Sequence, residues 1–140
     1  MIETVMAPGR YFNGDPYNDG VNVFFYKNDR YKPGDLKAQV LRAPLVDQDG
    51  AFTLNVGQIR LHSGRYWLSV QDICNFGSGM GEWGWETSER QVDDPAVFRS
   101  KGGFGCTEWN TLANCIGDYG QGPDFMFVLK GKRIVDAEDH

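Results

Sequence analysis

"RYWLSVQ", residues 65–71, decides the fold class. Alternate residues of a strand point to opposite faces, so Tyr66, Leu68 and Val70 share one side while Arg65, Trp67, Ser69 and Gln71 share the other. A half-buried strand makes this rhythm and a helix does not. One face goes to a core, and the other carries an indole that also has to be placed. The rhythm recurs in "AFTLNV" (51–56), with Phe52, Leu54 and Val56 inward, directly after "DQDG" (47–50), a turn signal in which Gly50 can take positive φ. "VNVFFY" (21–26) and "FMFVLK" (125–130) are apolar on both faces, which suits strands covered on both sides or sitting under a loop, and the expectation is that both lie mid-sheet. "IETVM" (2–6) and "KAQVLRA" (37–43) are weaker strands, "EWGWET" (82–87) adds another, and "QIRLHSGRYWLSV" (58–70) reads as a hairpin turning through "HSG".

No window of a dozen residues keeps a helical stripe free of Gly and Pro. The expectation is an all-β chain, an antiparallel β-sandwich or jelly roll of about seven or eight strands joined by Gly, Pro, Asn and Asp clusters. With 140 residues the chain has the size of a single domain, 1–140, with a tail from about 132 to 140 outside the core. Aromatic residues at 14% and 18 glycines are both high, which suits large rings packed between tight turns.

The net charge of -5 argues against a nucleic-acid partner, because binding to phosphates draws on clustered Lys and Arg. No run approaches the length of a membrane span, and "MIETVMAPGR" lacks the layout of a signal peptide.

Three cysteines are present, and Cys106 and Cys115 enclose eight residues of a Gly-rich segment. That spacing suits a loop disulfide, worth roughly 2.7 kcal/mol for a ring of about ten residues, the competing reading being two free thiols. It is no zinc pattern, with no CxxC and only His62 and His140 to add nitrogen ligands. Cys74 stands alone as a small buried residue. The stretch from Gln91 to Gln121 carries no strong strand pattern, and a loop of that length is either cross-linked or functional.

In "GEWGW" (81–85), Trp83 and Trp85 share a strand face with the bare Gly84 between them. The pair is core packing, a prop for the 91–121 loop, or a platform. Sugar rings stack on flat indoles while carboxylates and amides bind the hydroxyls, so the candidate ligand set is Trp83, Trp85 and Trp109 with Glu82, Glu86 and Asn110. Glu82 and Glu86 lie roughly 13 Å apart along one strand, beyond the span of about 5 to 10 Å that paired glycosidase carboxylates need. There is no GxSxG, and His62 belongs to a turn. "GSGMG" (77–81) has the glycines of a phosphate loop without its Lys. In "NGDPYNDG" (13–20), Asp15, Asn18 and Asp19 offer oxygens for Ca²⁺, the competing reading being a solvated turn. No other cofactor is implied.

"SGRYWLSVQ", "GEWGWETS", "PAVFRSKGGFGCTEWNTLANC" and "GPDFMFVLKG" occur in that order between residues 63 and 131. The chain from about residue 10 to 131 thereby resembles the Gly- and Trp-rich β-sandwich modules of secreted and surface proteins of bacteria, whose motifs follow the same sequence. The resemblance implies an extracellular or cell-surface, non-catalytic module with Cys106 and Cys115 as the bridged pair. Cys74 has no counterpart in the pattern. Such modules also carry strands ahead of the "YFNG" segment, so a neighbouring chain could supply an edge. The expected function is non-catalytic binding or adhesion through the Trp-rich face to a glycan or a surface protein. The alternatives are a surface-layer or filament subunit that self-associates by strand addition and, third, a glycan-acting hydrolase.

Overall fold

The computed structural model describes residues 1–12, 20–73, 82–88, 96–98, 108–111 and 124–132, the side chains at 82, 84, 88, 98 and 110 excepted. Among these residues the chain is all-β. Its strands are β1 (Ile2–Ala7), β2 (Gly9–Phe12), β3 (Val21–Asp29), β4 (Lys32–Val40), β5 (Leu45–Gln48), β6 (Ala51–Ile59), β7 (Tyr66–Asp72), β8 (Glu82–Trp85), β9 (Thr87–Ser88), β10 (Val97–Phe98), β11 (Asn110–Thr111), β12 (Asp124–Phe125) and β13 (Val128–Gly131). All pair antiparallel: a four-stranded sheet in the order β13-β1-β6-β5, a three-stranded sheet in the order β4-β3-β7, and the pairs β2-β8, β9-β12 and β10-β11.

The two larger sheets contribute to one buried cluster. Val5 and Ala7 of β1 and Phe52, Leu54, Val56 and Ile59 of β6 meet Val21, Val23 and Phe25 of β3 and Val70 of β7. The alternation in "AFTLNV" and "RYWLSVQ" therefore has the phase expected, and Trp67 faces away from that cluster, opposite Tyr26. Val56 and Ile59 are an odd number of residues apart and would point to opposite faces of a regular strand. A bulge between them, where Gly57 takes a φ of 76°, turns both inward and shifts the β1–β6 register.

Two hairpins set the sheets. Gln48 pairs with Ala51 across a two-residue loop in which Asp49 and Gly50 have φ of 53° and 97°, the mirror-image turn that matches strand twist. Asp29 pairs with Lys32 in the same way, but the loop there is Arg30 and Tyr31, at φ of 48° and 72°. Side chains disfavour this region, so the long β3–β4 ladder has to hold it.

Two expectations are corrected. Residues 58–70 do not form a hairpin, because β6 has β1 and β5 on its two edges and β7 joins β3 in the other sheet. "HSG" thus lies in a crossing between sheets. Of the two strands apolar on both faces, β3 is central as expected, but β13 lies at a sheet edge, and Met126, Phe127, Val128 and Leu129 are 42, 43, 50 and 40% exposed. The side of β1 away from β13 is already taken by β6, so β13 closes the row.

Candidate functional site

Strand β8 carries Trp83 and Trp85 on one face, with ring centroids 6.3 Å apart. Trp83 stacks on Phe52 at 4.6 Å and 19°, and Trp85 on Phe125 at 4.5 Å and 9°. Tyr11 meets Phe52 edge-on at 6.3 Å, so the rings form a continuous row from β2 through β6 and β8 to β12. Both indole N–H groups are committed: Trp83 Nε1 donates to the Gly50 carbonyl at 2.7 Å and Trp85 Nε1 to the Met126 carbonyl at 2.6 Å. Both rings are half-buried against the core cluster.

The β5–β6 turn fixes this row. The Gly50 N–H and the Tyr11 hydroxyl both donate to the Asp47 carboxylate, at 2.8 and 2.6 Å, while the Gly50 carbonyl holds Trp83. A Cβ at Gly50 would sit 2.7 Å from Arg10 Cα, so the turn needs glycine for its close approach as well as its φ. A sugar has little to use here, because each indole gives one flat face and its only donor to the protein.

Trp109 lies elsewhere. Its ring meets Tyr26 edge-on at 5.9 Å, and Tyr26 belongs to the face of β3 opposite the buried Phe25. The predicted ligand set therefore divides, with Trp83 and Trp85 beside the core and Trp109 over the outer face of the three-stranded sheet. Glu86 is exposed, its backbone bonded to Pro8 and Met126. Glu82 pairs with Phe12 and Asn110 with Phe98, their side chains being outside the description. Cys74, Cys106 and Cys115, and the candidate calcium ligands Asp15, Asn18 and Asp19, lie outside the described residues. Among the described residues no group of three or more His, Cys, Asp or Glu could hold a metal ion.

Around Trp109 the register assembles a face that the sequence did not disclose. Asn22, Phe24 and Tyr26 of β3 lie opposite Gln71, Ser69 and Trp67 of β7, while Gln39 and Leu36 of β4 lie opposite Phe24 and Tyr26. Phe24 and Tyr26 stack at 6.3 Å and 28°. Trp67 Nε1 donates to Asn28 Oδ1 at 2.8 Å, which holds that indole in place beside Tyr26. These strand positions are aromatic, aliphatic, amide or hydroxyl, and the charge on this side enters at its end, with Arg65 opposite Asn28, in a chain that is 24% charged. A sheet face turned only to water would ordinarily carry charged groups. Phe24 and Tyr26 were visible as one side of a doubly apolar strand. Their junction with Trp67 and Trp109 depends on long-range register, which no local pattern encodes.

No helix among the described residues is long and apolar enough to cross a membrane. Compared with family models, curated proteins and solved structures, the chain matches none.

Proposed function

We propose that the chain is a non-catalytic, extracellular β-sandwich module that recognises neutral glycan through the outer face of its three-stranded sheet. The observation that carries this reading is the gathering of rings on that face, with Phe24, Tyr26, Trp67 and Trp109 flanked by Gln39, Ser69 and Gln71 and with Arg65 at its end. Aromatic rings accept the CH-rich faces of sugars, and amides and hydroxyls exchange hydrogen bonds with sugar hydroxyls without the desolvation cost of an ion. Gln71 and Ser69 already lie 3.4 Å apart, a spacing at which both can address one hydroxyl. The secreted bacterial modules that the chain resembles support the same setting. Catalysis is not part of the proposal, since the face brings amides, hydroxyls and rings together, and hydrolysis of a glycosidic bond calls for two carboxylates.

The test is a glycan array together with titration of tryptophan fluorescence by neutral oligosaccharides. Binding should occur in the wild type, weaken at least about tenfold in Trp109→Ala, which corresponds to roughly 1.4 kcal/mol, and survive Phe127→Ser at the far edge. A flat array and an unchanging fluorescence signal would end the reading.

A further inference from the structure

We infer that β13 is a self-association edge, through which two copies of this chain join their four-stranded sheets by antiparallel pairing centred on Leu129. The inference uses no part of the glycan reading, because β13 lies in the other sheet. The chain from 128 to 132 meets β1 along one edge, and the preceding residues 124–126 meet the 86–88 segment. Met126 N donates to the Glu86 carbonyl, Val128 and Lys130 lie opposite Met6 and Thr4, and Lys132 N donates to the Met1 carbonyl, at 2.9 Å for the first bond and 2.8 Å for the last. Backbone groups of an antiparallel strand alternate in direction, so the even-numbered residues point inward and those of Phe125, Phe127, Leu129 and Gly131 point outward. The first of these N–H groups is already held by the Asp124 side chain, at 2.8 Å. Among the described residues no strand pairs with the outward edge.

The three remaining outward residues define the register. Pairing a second β13 so that Leu129 faces Leu129 sets Phe127 opposite Gly131 and uses only those three residues from each copy. Gly131 cannot carry a side chain, since a Cβ there would collide with the Met1 carbonyl. An aromatic ring across the strand covers such a bare glycine. The same register places Lys130 opposite Val128 and Lys132 opposite Met126, so no like charges meet, although lysines commonly block such edges. Val128 and Leu129, on the two faces of β13, and Met126 and Phe127 just before it are all at least 40% exposed, and strand addition covers them together more simply than a partner on one face. The contact is isologous and therefore closes as a two-fold dimer rather than growing into a fibre. Its small area makes it a weak, concentration-dependent pairing.

Sedimentation velocity over a wide concentration range, combined with amide hydrogen exchange, tests this. The chain should pass from monomer to dimer, with Phe127, Leu129 and Gly131 gaining protection as it does so while Val128 and Lys130 are unchanged. Val128→Lys puts like charges opposite one another twice across the two-fold axis and should weaken the dimer at least about tenfold. Adding Lys130→Glu should restore it, which happens only in the register centred on Leu129. A monomer at every concentration overturns the inference, as does a dimer indifferent to Val128→Lys or one that the second substitution does not restore.

Discussion

β3 and β13 are both apolar on their two faces, yet they occupy opposite situations. In β3 one side, Val21, Val23 and Phe25, is buried in the core, and the other, Phe24 and Tyr26, lies half-buried under aromatic neighbours. In β13 both Val128 and Leu129 remain at least 40% exposed. Apolar residues on two faces therefore signal that both need cover, without saying where the cover comes from. For β3 it comes from within the chain, by way of β4, β7 and Trp109. For β13 it is left to whatever meets the edge.

Substitutions along the two strands can break this contrast or sharpen it. Phe25→Ala should have the largest effect, a loss of about 3–5 kcal/mol in urea unfolding, because it empties a fully enclosed aromatic site. A loss below about 1 kcal/mol would mean that β3 is not the anchored member of the pair. Gly131→Ala comes next: the added carbon collides with the Met1 carbonyl, and forcing it in should cost about 1–3 kcal/mol and raise amide exchange along β1 and β13 first. Trp67→Phe keeps a ring beside Tyr26 but deletes the bond to Asn28, for an expected loss of about 0.5–1.5 kcal/mol. Val128→Lys should move the unfolding of the monomer by less than about 0.5 kcal/mol, since the site is half exposed. If it instead destabilised the monomer as much as Gly131→Ala, the edge would be packed within its own chain and the contrast with β3 would collapse.

Much of the fold is legible in the local pattern. The period of two in "RYWLSVQ" and "AFTLNV" places Val70, Phe52, Leu54 and Val56 on the core side, and "DG" at 49–50 supplies two residues able to take positive φ. Trp83 and Trp85 do share a strand face. What escapes the pattern is partnership. "HSG" has the composition of a tight turn, but the two edges of β6 are already taken, one by β5 just before it and the other by β1, some fifty residues earlier in the chain. The same holds for the candidate site, because Tyr26, Trp67 and Trp109 carry no mutual signal and meet only through the β3–β7 register and the return of the chain at Trp109. By pattern alone Trp83 and Trp85 suit packing first and a platform second. The hydrogen bonds from their indoles to Gly50 and Met126 show how far packing has claimed them.

The ring row from Tyr11 to Phe125 has an optical consequence. Five chromophores held at fixed, close and asymmetric angles give near-ultraviolet circular dichroism that depends on their mutual orientation and disappears when side-chain packing loosens, even if the strands persist. Because the row threads four strands, that signal would gauge the fixity of this seam separately from backbone content, with no label added.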